Sequence, residues 1–240
     1  TNTTKFNRWM LFAGIAMLSL FATGVNAQVT VTGCTGGGDG TYGTLGAAMT
    51  AIGTAQPAAT IGVSITASTT ETAIVVIGAG TWTSMTITPS GGAWTITGSL
   101  ATELIQFNGA DNVTVDGLNS GGNALTISNT STAATSGTST IKFQADATNN
   151  TLTNCSILGS ATMALATNGG NIFISTATTS GNDNITISNC NLGPVGSNLP
   201  SKLVYGNGST TNSTIANSNV TITNCNLYDY FLAGGCAAVY

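Results

Sequence analysis

The chain has 240 residues with four cations, eight acids and no histidine, a formal net charge of −4 at pH 7. So little positive charge excludes nucleic acid and anionic membrane surfaces as partners, because phosphate binding rests on cationic patches. Charged residues make up 5% of the chain but hydrophobic ones 42%, too many for a disordered polar segment; Thr, Val and Ile in alternation point to β-structure instead.

Residues 1–27 read as a secretory signal peptide. Lys5 and Arg8 supply a positive start, residues 10–24 (MLFAGIAMLSLFATG) are an apolar run too short to span a bilayer, and Val25-Asn26-Ala27 offers a small-x-small cleavage pattern. A second reading is lipid attachment at Cys34, since VTGC (31–34) resembles a lipobox, with Val where Leu is usual. After Ala27 the cations are Lys142 and Lys202 alone, all eight acids remain, and the charge is −6 with neither Arg nor His.

Residues 28–58 form an N-terminal cap region. TYGTLGAAMTAIG (41–53) is its helix candidate, near 44–53, with Thr44 as N-cap and Leu45, Ala48, Met49 and Ile52 on one face. A short amphipathic helix there would cover the open end of a solenoid, as terminal units must. GVSIT (62–66), SMTIT (84–88) and AWTITG (93–98) then read as strands.

From residue 59 to 240 the chain repeats. NITISNCNL (184–192) returns as NVTITNCNL (219–227), and NNTLTNCSI (149–157) and NVTVDGLN (112–119) are further copies. Cys155, Cys190 and Cys225 fall at one 35-residue interval, and Leu118 holds the matching place in the earliest copy. Strand-like segments precede the copies: LIQF (104–107), TIKF (140–143), NIFI (171–174), KLVY (202–205), and AAVY closes the chain. A period of this kind with short strands and polar turns specifies a β-solenoid whose rungs stack about 4.8 Å apart. In NITISNC, Ile185 and Ile187 point inward and Thr186 and Ser188 outward. Asn154, Asn189 and Asn224 stand where the strand bends; Asn tolerates positive φ, and its amide can bond the next rung's Asn. The cysteines read as small core fillers, with a metal site as the lesser alternative. Phe107, Phe143, Tyr205 and Tyr240, interrupted by Ile174, are expected as an interior column, with Gln106, Lys142, Phe173, Val204 and Val239 facing out.

These residues resemble the right-handed parallel β-helix of the pectin-lyase-like class over roughly residues 41–240: the helix TLGAAMTAI, then GVSIT, then the N-x-T-I-x-N-C-x-L repeats. Within that class, GADNVTVDGLN, TNNTLTNCSILGS and GNDNITISNCNLGP look most like large Gram-negative surface proteins exported by the type IX route. That likeness implies an extracellular or outer-surface location. AAVY ends inside a strand without a sorting domain, so the chain is expected to continue beyond 240, as a monomeric stalk within a longer protein.

The class includes polysaccharide lyases, polygalacturonases and pectin esterases. The resemblance implies that the lyases need calcium-binding acids with an Arg or Lys base, and the polygalacturonases clustered Asp with His and an Arg–Lys pair. Without Arg or His, neither pattern carries over, although two carboxylates alone can cleave glycosides. Asp111, Asp146 and Asp183 precede successive repeats and are the candidates for a carboxylate pair or a calcium row, with turn-capping by each Asp as the plain alternative. Trp82, Tyr228 and Tyr230 are the candidates for stacking on sugar rings. The reading is a non-enzymatic, adhesin-like β-helix that needs no cofactor, with a surface glycan as its candidate partner; the alternative is a carbohydrate-active enzyme. The pairing of Cys34 and Cys236 stays open.

Overall fold

The computed structural model describes residues 27–209 and 211–240. The expected signal peptide, residues 1–27, lies outside the described residues apart from Ala27.

The chain winds as a parallel β-solenoid with three sheets, each rung giving one strand to each. The first sheet runs through Thr60–Ile65, Ser84–Pro89, Val113–Asp116, Thr151–Thr153, Thr186–Ser188 and Thr221–Thr223. The second contains Thr69–Glu71, Ala93–Gly98, Ala124–Asn129, Cys155–Gly159, Asn191–Pro194 and Asn226–Leu227. The third contains Val75–Gly78, Glu103–Asn108, Ser139–Gln144, Gly170–Ile174, Lys202–Gly206 and Ala237–Val239. All these neighbours pair in parallel, which only a winding chain achieves with so few intervening residues.

The core is columnar. Val63, Ile87, Val115, Leu152, Ile187 and Ile222 stand in register on the first sheet, and Ile96, Ile127, Ile157, Leu192 and Leu227 on the second. Removing each such side chain from water stabilises the fold by about 1.5–3 kcal/mol at most. The bends take left-handed backbone at two asparagines per repeat: Asn149, Asn184 and Asn219 before the first-sheet strand, and Asn154, Asn189 and Asn224 after it, with φ between 51° and 56°. Asn bears this conformation more readily than β-branched residues do.

Two strands in the cap escaped the sequence reading. Val29–Thr32 pairs antiparallel with both Thr60–Ile65 and Gly40–Tyr42, and it buries Val29 and Val31. The helix spans Leu45–Ile52, capped by Thr44 Oγ1 accepting from Ala47 N at 3.1 Å. It buries Leu45, Ala48, Met49 and Ile52 over the first rung. The buried Glu71 carboxylate accepts from Leu45 N at 2.9 Å and Gly46 N at 3.1 Å, which places an anion on the helix N-terminus. Fully buried Gln56 ties the cap loop to the helix end: Oε1 accepts from Thr35 and Gly36, and Nε2 donates to Gly37 O and Ile52 O. Among the described residues no helix is long and apolar enough to cross a membrane.

Three expectations about columns need correction. The place beneath Cys155 belongs to Leu125, itself paired with Trp94, and not to Leu118. Leu118 turns with φ 59°, and the chain re-enters the second sheet only at Ala124. The side-chain amide ladder runs through Asn149, Asn184 and Asn219, each link 3.0 Å, one bend earlier than Asn154, Asn189 and Asn224; Asn154 instead donates to Asp116 Oδ1 at 2.8 Å. On the third sheet Tyr205 pairs with Phe173 rather than Ile174, while Ile172 pairs with Val204 and Val204 with Val239. The interior column is therefore Ile77, Phe107, Phe143 and Ile174. Val204 joins the core, and Tyr205 and Tyr240 continue the outer column of Gln106, Lys142 and Phe173.

Candidate functional site

The three aromatic candidates do not form one platform. Trp82 is buried, its Nε1–H donating to Asp111 O at 2.8 Å, and its ring covers Gly80 so closely that a Cβ there would lie 1.9 Å away. Tyr228 belongs to the last rung, half-buried over Gly193, where a Cβ would come within 2.3 Å of its ring. Tyr230 is half-buried against the core. Backbone without a side chain is what lets both rings fold down onto the solenoid.

The acids are spent in turns. Asp111 Oδ1 accepts from Thr148 N at 2.8 Å and Thr148 Oγ1 at 2.7 Å. Asp183 Oδ1 accepts from Ser218 N at 2.7 Å. The backbone bonds Asn112 N→Thr148 O, Asn149 N→Asp183 O and Asn184 N→Ser218 O put Asp111, Thr148, Asp183 and Ser218 in one file. Asp146 lies outside that file, which corrects the expected acid row. Its carboxylate gathers the N–H groups of Thr178, Thr179, Ser180 and Gly181 and the Thr178 hydroxyl. Burial alone would raise that carboxyl, but these donors outweigh it and hold the group well below the usual carboxylate range. Among the described residues no three Asp, Glu, Cys or His side chains converge as a metal site.

Cys155 and Cys190 are buried, and each thiol donates to a carbonyl of its own bend, Thr153 O at 3.1 Å and Ser188 O at 3.2 Å. Cys225 repeats the arrangement on the last rung toward Thr223 O at 3.3 Å. All five cysteines are unpaired as disulfides, Cys34 and Cys236 included. Burial first, then Asp39, pushes the Cys34 thiol up to about 11, so little thiolate forms there near neutral pH.

Two outer faces are organised. The third sheet carries Lys142, Phe173, Tyr205 and Tyr240 in file. Lys142 pairs with Glu103 at 3.6 Å, and the connection 160–169 is bonded to this sheet through Lys202 and Tyr205. There Lys202, fully buried, donates to the carbonyls of Ala164, Leu165 and Thr167 and sits 4.3 Å from the Tyr205 ring centre. The Tyr205 hydroxyl bonds Asn168 Oδ1 at 3.1 Å. Sequence reasoning placed Phe173 on this outer face but put Tyr205 and Tyr240 inside; the apolar run NIFI followed by KLVY was the signal for it.

The first sheet presents a polar outer face. Thr86, Thr114, Thr151, Thr186 and Thr221 stand in register on five consecutive rungs. Beside them run Asp116, Thr153, Ser188 and Thr223. The two asparagine ranks flank the last three rungs.

This strand pairing defines the class as a parallel β-solenoid. No family model matches the chain, and no curated protein matches it. Among solved structures, the crystal structure of the pectin methylesterase from Aspergillus niger in deglycosylated form is similar with a TM-score of 0.41 and 15% identity, over 85% of this chain and 82% of that one.

Proposed function

We propose that this chain is a non-enzymatic, exported or cell-surface β-solenoid of structural, adhesin-like type, which meets its partner through its outer faces. One observation carries the reading: Asp111, Asp116, Asp146 and Asp183 all serve as acceptors for turn donors. Glu71 caps the helix and Glu103 pairs with Lys142. Glycoside cleavage by carboxylates requires two facing groups with room for sugar or water between them, and these acids are committed elsewhere. A neutral surface polysaccharide is the partner that a polar, nearly uncharged exterior suits. Export and a location outside the cell follow from residues 1–27 and belong to this proposal.

The test is to incubate the full chain with neutral and acidic polysaccharides, with and without calcium, scoring retention and chain shortening. Retention without shortening supports the adhesin reading. Shortening overturns it in favour of a carbohydrate-active enzyme.

A further inference from the structure

A buried cation is costly unless fixed dipoles replace the water it has lost. Lys202 is fully buried, and among the described residues the one ion pair joins Lys142 to Glu103. The charge of Lys202 is met by neutral groups instead. Ala164 O and Leu165 O accept from its Nζ at 3.2 and 3.1 Å, Thr167 O is the third acceptor, and the Tyr205 ring centre lies 4.3 Å away. The geometry points to a primary-ammonium site, built from three carbonyls of the 160–169 connection and the Tyr205 ring, which the chain's own Lys202 fills as a tethered ligand. The site does not depend on the function proposed above.

The chemistry of the lining selects the occupant. An ammonium has three N–H donors, one for each oxygen, and the ring face adds a cation–π attraction. A guanidinium is planar and its donors fan out, so it does not aim three of them at oxygens grouped around one nitrogen. Hard divalent cations call for carboxylate oxygens, and none takes part here. The connection is shaped around the ammonium. Ala164 O also accepts the Thr167 N–H at 2.9 Å, closing a turn over 164–167, and Asn168 O accepts the Gly137 N–H at 2.9 Å. Leu165 O and Thr167 O have Lys202 as their donor. Gly170 leaves room for the lysine stem, since a Cβ there would lie 3.3 Å from Lys202 Cβ. Without a cation the three carbonyl dipoles face one another and two of them lose their donor, so the connection should loosen where it meets the third sheet.

The test uses the full chain and two variants. Lys202→Ala empties the site, and Lys202→Met keeps most of the volume without the charge. Thermal melts of Lys202→Ala are followed with n-butylammonium chloride, with n-butanol, which has the chain without the charge, and with tetramethylammonium chloride, which has the charge without N–H donors. The expected result is a lowered melting temperature that n-butylammonium alone raises, in a saturable way, with the parent and Lys202→Met unresponsive. No gain from n-butylammonium in folded Lys202→Ala, or equal gains from all three compounds, overturns the inference. Hydrogen exchange in Lys202→Met gives a second reading that stands even where Lys202→Ala does not fold. The Thr167 and Gly137 amides should exchange faster by about tenfold or more, with the first-sheet strands unchanged. Exchange as slow as in the parent overturns the inference, because the lysine then serves only as volume. A uniform rise across all three sheets overturns it as well, because the lysine then supports the whole solenoid and not this connection.

Discussion

The Tyr205 ring lies between those of Phe173 and Tyr240, 5.6 Å from the first and tilted 57°, 5.4 Å from the second and nearly parallel at 11°. This stack runs along the outside of the third sheet, and the Lys202 ammonium closes over Tyr205 beneath three backbone carbonyls. Lys202 thereby holds the 160–169 connection to the sheet without a carboxylate partner.

That arrangement gives stability a pH dependence. Burial lowers the Lys202 ammonium to about 8, against about 10.4 in an unfolded chain. Between these values the unfolded state binds the extra proton, so stability rises with pH from about 8 to about 10.4 and is flat in this group outside that window. Lys202→Met should lose this rise. Melting temperatures of parent and variant across the window check it; parallel curves would contradict it.

Asp146 works in the opposite direction. Its folded carboxyl titrates below the unfolded value of about 3.9, so its stabilisation is present above that pH and fades as pH falls through the folded value. Asp146→Asn should cost about 1–3 kcal/mol at neutral pH, with the deficit shrinking below about pH 4, as urea titrations at both pH values would read.

Asp183→Asn should change stability by less than about 0.5 kcal/mol. Asp183 accepts one backbone N–H, from Ser218, and an amide oxygen can accept the same bond. Thermal melts with and without calcium decide the matter: a calcium-dependent gain in the parent that the variant lacks would restore the metal reading.

Removing the acid at Glu71 exposes the helix start. Glu71→Ala strands the N–H groups of Leu45 and Gly46 in a buried site, at a cost of about 1–3 kcal/mol. Hydrogen exchange should localise the loosening to Leu45–Ile52 and the adjoining cap strands.

Ile187 is fully buried between Leu152 and Ile222. Ile187→Asp should cost more than about 4 kcal/mol and leave no cooperative melt, because it buries an unpaired charge. Ile187→Val should cost only about 1 kcal/mol.

The amino-acid sequence by itself determined the solenoid, the helix over its end, and the inward and outward sides of the N-x-T-I-x-N-C motif. Those properties are local: alternation has period two, the repeat has one length, and left-handed asparagines mark both bends. Only the tertiary structure decided the third-sheet register. All five residues of Gly170–Ile174 are buried, the outward Phe173 packing against Tyr205 and Lys142, so no polar alternation marks which side faces in, and a one-residue slip moves Tyr205 from core to exterior. The aromatic and acidic candidates fell for a related reason. Whether Trp82 reaches solvent depends on a glycine two residues away in sequence and a carbonyl on the next rung. Whether Asp146 is free depends on the loop 178–181 that winds beneath it one rung later. Such partners are set by how successive rungs stack, and no single repeat contains them.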